Sequence, residues 1–136
     1  MKYYQTRENK IPGSNSKEIY KKSRLFYDII EKRSKRRPYV RSVYFRKSKI
    51  FLGLFWQHIF EKSNYGDQMR RMRFLPCAIE LIKNSHFDPI SKENPNKKLE
   101  ILHRFYSQTP AKECFIVQIK EDKKSGEKFL ISVFPT

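Results

Sequence analysis

The spacing of apolar positions changes from helical to strand-like along the chain. In the first part, Ser16 is a suitable N-cap for a helix through the basic segment that follows it. The partial apolar stripe of this helix consists of Ile19, Leu25, Phe26, Ile29 and Ile30. Because a proline disfavours helical geometry in the residue before it, Pro38 predicts that the helix ends by Arg37.

The pattern in the middle of the chain predicts short strands and helices separated by residues that break regular structure. Aromatic and β-branched residues predict a strand at 39–46 and a short extended piece at 49–52. A helical pattern follows Gly53 over 54–62, and Asp67 is a plausible cap for a second helix. Pro76 suits the first turn of a third helix, which ends near residue 85. The segment 87–98, rich in proline, asparagine and lysine, is interpreted as a loop.

The C-terminal part predicts strands at 100–108, 113–120 and 127–134, joined by hairpin-type turns. Successive side chains of a strand point to opposite faces, so each of the last two strands has one row of residues that is predicted to face the core. Those rows are Phe115, Val117 and Ile119, and Phe129, Ile131 and Val133. The first strand leaves the choice of face open, but burying Arg104 without a partner would be costly. We therefore expect Arg104 to face outward beside Gln118, Lys120 and Ser132, in an α+β domain with its sheet covered on one face.

The composition adds a strong positive charge to this picture. The 136 residues carry a formal net charge of +16, of which +8 lies in residues 1–37, +6 in 38–86 and +2 in 87–136. Such an excess favours contact with polyanions, first nucleic acid and second an anionic membrane. The nearly balanced C-terminal part indicates that its few cations are not simply part of a general positive coat.

Other classes of protein lack support in the sequence. Cys77 and Cys114 are far apart and form no metal-ligand pattern, so we expect two free, buried thiols. No apolar run is long enough for a transmembrane helix, and the N-terminus lacks the apolar region of a secretory signal. A cytoplasmic protein without membrane contact is expected. Phosphate-binding glycine loops and clustered carboxylates are absent from the sequence, so neither a cofactor nor a metal is expected.

Acid–base chemistry on RNA fits the remaining residue types. Cleavage by the 2′-hydroxyl of RNA needs a proton acceptor, a proton donor and cations that stabilise the phosphorane, but no metal. The candidate catalytic residues are His58, His103, Arg104, Lys120 and Ser132. Taken singly, each is also compatible with an ordinary packed or solvated position. Only their expected convergence on one face of the sheet indicates a site.

A second set of residues would bind the flanking nucleic acid. Its basic members are Lys32, Arg33, Lys35, Arg36, Arg37, Arg70, Arg71 and Arg73. The run at 32–37 is equally compatible with a solvated helix end, because cations are favoured there by the helix dipole. Tyr106 and Gln118 would contact RNA on the sheet, although core packing is an equal alternative for the tyrosine.

Several segments together resemble a known superfamily. These are "WQHIFEK", "RRMRFLPCAIELIKNS", "ILHRFY", "FIVQIKED" and "FLISVFP". They are similar to small phage- and mobile-element-associated proteins grouped with barnase, EndoU, colicin-type tRNases and RelE (the BECR nucleases). The resemblance covers 39–136 and implies helices followed by a four-stranded antiparallel sheet, with metal-independent RNA cleavage on its open face. It places the helix histidine at His58, the strand cation at Arg104 and the terminal hydroxyl at Ser132, with Lys120 as a further cation.

The sequence thus predicts a basic N-terminal arm and helix over 1–37 and a nuclease-type domain over 38–136. The expected activity is that of a small toxin-like endoribonuclease acting on tRNA or mRNA, with RNA as partner and an antitoxin or immunity protein as a possible second partner. The oligomeric state stays open. One alternative is a non-catalytic nucleic-acid-binding accessory protein of a phage or conjugative element. Another is an inhibitor that binds a nucleic-acid enzyme.

Overall fold

The computed structural model describes residues 3–61 and 64–136, which form four helices and seven strands. The helices are α1 (Ser16–Arg33), α2 (Gly53–Glu61), α3 (Tyr65–Met72) and α4 (Leu75–Asn84). The strands are β1 (Tyr4–Gln5), β2 (Tyr39–Ser42), β3 (Ser48–Phe51), β4 (Ile90–Asn94), β5 (Lys97–Gln108), β6 (Cys114–Asp122) and β7 (Lys128–Pro135). In the described residues, no helix is both long and apolar enough to cross a membrane.

The strands form one mixed sheet, so the prediction of an antiparallel four-stranded sheet is wrong. The order is β1-β5-β6-β7-β3-β2, with β4 paired to β5 beside β1. Two pairs are parallel, β1 with β5 and β3 with β7. The predicted loop at 87–98 contains β4, because an exposed edge strand can be polar and does not show the alternation of a half-buried strand. A strand of two residues such as β1 is too short to give any pattern.

The predicted C-terminal strands β5, β6 and β7 are confirmed as an antiparallel meander, but the register of β7 contains a bulge. Leu130 and Ser132 pair with consecutive residues of β6, which leaves Ile131 as the extra residue. The bulge turns both Leu130 and Val133 into the core, where each is fully buried. The predicted core row Phe129–Ile131–Val133 is therefore wrong for its first two members, which are only partly buried.

Strand β5 has the orientation that was expected from the cost of burying Arg104. His103 points to the same side of the sheet as the core residue Phe105, and the two residues are 7% and 4% exposed. Arg104 lies on the opposite face and is only partly buried. The expectation that Arg104 faces outward is thus confirmed, and its guanidinium finds a polar partner there.

Helix α1 ends by Arg37 as predicted, but its N-cap and its buried stripe differ from the prediction. Asn15, and not Ser16, is the N-cap, accepting a hydrogen bond from the backbone N–H of Lys17 at 2.9 Å. The helix ends at Arg33, before the end of the basic run. Its buried stripe is Ile19, Ser23, Tyr27 and Ile30, while the predicted stripe members Leu25 and Ile29 are exposed. An apolar pattern does not indicate Ser23, a small polar residue whose hydroxyl donates to the buried carbonyl of Met72 at 3.3 Å.

The helices pack on one face of the sheet and leave the other open. A single core cluster combines the inward rows of the strands with residues from all the helices, α1 included. Alternate residues of β2, β3, β5, β6 and β7 point away from this core. We call the surface that they form the open face.

The two cysteines are free but differ in environment. Cys77 on α4 is fully buried, as expected, whereas Cys114 at the start of β6 is exposed. The prediction of burial is therefore wrong for Cys114, which lies in the outward-facing row of its strand. Burial raises the pKa of the Cys77 thiol to about 12, with a smaller contribution from nearby carboxylates such as Glu80.

Candidate active site

A cavity of about 420 Å³ lies where α2 and α3 meet the edge of β7. Strand β3 pairs with β7 only through Ile50 and Phe51, opposite Lys128 and Phe129. The chain then leaves the sheet and enters α2, so the remaining edge of β7 is covered by helices instead of by a strand. The lining residues of this α2–β7 cavity are Phe55, His58, Ile59, Glu61, Arg71, Gln118, Ile131, Ser132 and Val133.

His58 is held in the cavity by the bulge of β7. Its Nδ1 lies 3.3 Å from the carbonyl oxygen of Ile131, the extra residue of the bulge. A carbonyl oxygen only accepts hydrogen bonds, so Nδ1 is the donor and carries a hydrogen. When the ring is uncharged, its lone pair is then on Nε2, which is able to take up a proton. The bulge therefore fixes the ring in the tautomer that a general base requires.

Arg71 joins α3 to the terminal strand. Its Nε donates to Asp67 Oδ2 at 2.9 Å, and its Nη1 donates to Ser132 Oγ at 2.7 Å. The guanidinium also lies 5.4 Å from the ring centroid of Phe134. Only about a fifth of the Arg71 side chain is exposed. The planar guanidinium is therefore fixed in one orientation on a wall of the cavity, and it fixes the Ser132 hydroxyl beside it.

The prediction that Asp67 caps the second helix, α3, is wrong. Asn64 is the N-cap, and its side chain accepts from the backbone N–H of Asp67 at 3.0 Å. Asp67 lies in the first turn and accepts from Arg71 and from Arg70, the latter at 2.9 Å. Burial alone would raise the pKa of this carboxyl, but the hydrogen bonds and charges of Arg71 and Arg70 outweigh it and lower the pKa.

Gln118 and Arg104 form a second polar pair beside Ser132. Gln118 is the cross-strand partner of both Arg104 and Ser132, and Arg104 Nε donates to Gln118 Oε1 at 3.0 Å. The amide oxygen of Gln118 accepts from Arg104. The amide NH₂, which is the donor group of this side chain, is left for another acceptor. Arg104 does not line the cavity itself. It lies behind Gln118, with its guanidinium 5.9 Å from the ring of Phe134.

The other two predicted catalytic residues lie elsewhere. Lys120 is on the open face, two positions along β6 from Gln118, and its Nζ is 3.6 Å from Glu100 Oε2. His103 lies on the opposite, helix-covered face. Its Nδ1 is 2.6 Å from Ser91 Oγ and its Nε2 is 2.8 Å from Glu121 Oε1. His58 and Ser132 are thus brought together, whereas His103 is separated from them by the sheet.

The residues predicted to bind flanking nucleic acid fall into separate groups. Lys32 and Arg33 end α1, and Lys35, Arg36 and Arg37 lie in the connection to β2. Arg70 is exposed on α3, but its neighbour Arg71 belongs to the cavity wall. Arg73 donates to the carbonyl of Ile11 at 2.8 Å and so fastens the N-terminal segment. Tyr106 lies partly buried on the open face.

Glu61 is a candidate residue that the sequence interpretation missed. It is the last residue of α2, is exposed, and lines the cavity with His58. The signal was available, because residues three apart in a helix lie on the same face. A carboxylate and an imidazole in one cavity supply the two proton-transfer groups that acid–base cleavage needs.

Comparison with protein-family models, with curated proteins and with solved structures gave no match. The resemblance to the BECR nucleases therefore stays a prediction from short motifs. The described part of the chain contains no group of three His, Cys, Asp or Glu side chains placed to hold a metal ion.

Proposed function

We propose that this protein is a small, metal-independent endoribonuclease that cleaves RNA at the α2–β7 cavity. The observation that carries the proposal is the composition of this cavity. Two proton-transfer groups, His58 and Glu61, share it with the donors Arg71, Gln118 and Ser132. The motif resemblance to the BECR nucleases selects His58 and Ser132 as well, although the sheet of this chain differs from the one that the resemblance implies.

The proposed reaction is an internal transesterification. One of His58 and Glu61 removes the proton of the ribose 2′-hydroxyl, and the 2′-oxygen forms a bond to phosphorus. The bond from phosphorus to the 5′-oxygen breaks, and the other group donates a proton to that leaving oxygen. The products are a 2′,3′-cyclic phosphate and a 5′-hydroxyl. With Nδ1–H directed at Ile131, the Nε2 atom of His58 suits the base, and Glu61 is then the group left to act as the acid.

Three donors would stabilise the phosphorane. Arg71 supplies a fixed positive charge, and Ser132 accepts its hydrogen bond and so keeps its own hydroxyl hydrogen for the phosphate. The amide NH₂ of Gln118, oriented by Arg104, is the third donor. Preorganised donors of this kind commonly contribute about a hundredfold to a thousandfold each to the rate. In this scheme Arg104 positions Gln118, and Lys120 contacts RNA outside the cavity.

RNA is the polyanion that fits both the site and the charge. A net charge of +16 favours binding to phosphates, with an affinity that falls steeply with salt. We propose a toxin-like role against tRNA or mRNA in the cytoplasm, held in check by an antitoxin or immunity protein. The free, exposed Cys114 is in keeping with a reducing compartment.

Cleavage of bulk tRNA and of mRNA in excess EDTA tests the proposal. His58→Gln and Glu61→Gln should each lower the cleavage rate by about a hundredfold or more, because each removes a proton-transfer group. His86→Gln is the matched control, since His86 is exposed between α4 and β4 and is not a lining residue of the cavity. Unchanged cleavage by His58→Gln would contradict the assignment. Intact RNA with retained, salt-sensitive binding would favour the accessory-protein alternative.

A further inference from the structure

Three aromatic rings cross the open face beside the cavity. Tyr39 of β2, Phe51 of β3 and Phe129 of β7 are neighbours in the strand register. Their centroids are 6.3 Å apart from Tyr39 to Phe51 and 5.8 Å apart from Phe51 to Phe129. We call these three rings the aromatic row. All of them are partly exposed and lie outside the core cluster, whereas their strand neighbours Val40 and Ile50 are buried in it.

Cations accompany each ring of the aromatic row. The Nζ of Lys49 lies 4.7 Å from the centroid of Tyr39, and the guanidinium of Arg41 lies 5.6 Å from it. The distances to the other two rings are 3.8 Å from the guanidinium of Arg37 to Phe51 and 5.3 Å from Nζ of Lys120 to Phe129. Carboxylates neutralise only part of this charge, since Arg37 pairs with Glu127 and Lys120 with Glu100.

We infer that the aromatic row is a binding subsite for single-stranded RNA, an inference that rests on the proposed function and names its substrate class. Aromatic faces that stack on bases, combined with cations that hold phosphates, are typical of single-strand binding. Because the Arg37 guanidinium lies over Phe51 at 3.8 Å, a base that stacks on this ring takes its place and leaves the guanidinium to pair with a phosphate. The row is continuous with the cavity: Phe129 is three residues before Ser132 on β7. A strand cleaved in the cavity would continue across the sheet over Phe129, Phe51 and Tyr39.

The spacing of the rings selects a single strand over a duplex. Successive bases along one strand of a duplex lie parallel, about 3.4 Å apart in duplex DNA, and neighbouring bases cover their faces. The planes of Tyr39 and Phe51 are instead inclined by 70°, and those of Phe51 and Phe129 by 38°. Rings nearly twice as far apart can be stacked only by bases that have left such a stack. A single strand allows this at little cost, whereas a duplex would have to unpair.

Fluorescence anisotropy with a 2′-O-methyl oligonucleotide of about ten nucleotides tests the subsite independently of cleavage. This probe lacks the attacking 2′-hydroxyl and therefore cannot be cut. Phe51→Leu and Tyr39→Leu keep apolar bulk but remove the aromatic face, and each should raise Kd about tenfold. Phe87→Leu changes an exposed aromatic residue after α4, outside the aromatic row, and should leave Kd unchanged. Melting temperatures check that the variants remain folded.

Arg37→Gln gives a second measurement and leaves the core packing unchanged, since the side chain of Arg37 is 56% exposed. Losing one phosphate contact should lower the slope of log Kd against log salt by about 0.7 for a single strand. Equal binding of the single-stranded probe by the wild type and both leucine variants would overturn the subsite. Equal affinity for the probe and for its duplex would also overturn it. Binding that depends on the rings, without any RNA cleavage, would support the subsite and refute the proposed nuclease.

Discussion

Arg71→Lys is the most informative single change, because it keeps the charge of the cavity wall but removes the guanidinium fork. A lysine ammonium is a point donor on a flexible stem and cannot bond Asp67 and Ser132 together in one fixed plane. The Arg71 and Asp67 side chains are 19% and 20% exposed, so their contact is only partly screened by solvent. Hydrogen bonds to charged groups contribute about 1.5–3 kcal/mol each, and the lysine can retain one of the two.

We therefore expect Arg71→Lys to lower the free energy of unfolding by about 1–2 kcal/mol, or the melting temperature by roughly 3–8 °C for a chain of this size. Cleavage of RNA should fall about a hundredfold, because Ser132 and the cation are no longer held together beside the phosphate. Thermal melts and initial cleavage rates in EDTA measure the two effects.

Arg70→Lys is the matched control. Arg70 is on the same helix and donates to the same Asp67, but its side chain is 63% exposed. An exposed pair of this kind contributes about 0.5 kcal/mol or less, and Arg70 does not line the cavity. If Arg71→Lys melts and cleaves like Arg70→Lys, Arg71 does not act as a preorganised fork. A stability loss without a loss of cleavage would leave Arg71 with a structural role alone.

Further changes test other parts of the structure. A thiol reagent should label Cys114 in the native protein and Cys77 only after denaturation, because burial raises the pKa of Cys77 to about 12; two native labels would contradict its burial. In urea, Leu130→Ala should cost about 2–5 kcal/mol and Ile131→Ala about 1 kcal/mol or less, and equal losses would argue against the bulge. Because the pKa of Asp67 is lowered in the folded state, its carboxylate stabilises the fold at pH values above the ordinary aspartate pKa of about 4. This stabilisation is lost as the pH falls through the folded-state pKa. Denaturation curves of Asp67→Asn should therefore weaken less with acid than those of the wild type.

The sequence was sufficient for elements whose pattern is local. Alternation in the last three strands located the meander and placed Ser132 and Gln118 on one face, where they are cross-strand partners. The cost of burying an unpaired guanidinium gave the correct face for Arg104. Because side chains alternate along a strand, an outward Arg104 requires an inward His103, and this position does not fit the predicted catalytic role of His103. Its burial on the helix-covered face leaves it without access to the cavity.

The position of His58 could not be read from a local pattern. Its contact with Ile131 depends on a bulge in β7 and on the parallel pairing of β3 with β7, which joins residues far apart in the chain. Neither leaves a signal in the alternation of apolar and polar residues. Arg71 was assigned to flanking RNA for a similar reason, since its reach to Ser132 follows from the packing of α3 against β7.

The chemical ends of the RNA fragments formed in EDTA test the central proposal most directly. The proposed reaction predicts 2′,3′-cyclic phosphate and 5′-hydroxyl ends, because in it the neighbouring ribose hydroxyl attacks while His58 and Glu61, which line the cavity, transfer the protons. RNA in which the ribose at the cut position lacks its 2′-hydroxyl should resist cleavage. Fragments with 5′-phosphate ends, cleavage only when a divalent metal is restored, or RNA that stays intact would each contradict the proposed ribonuclease.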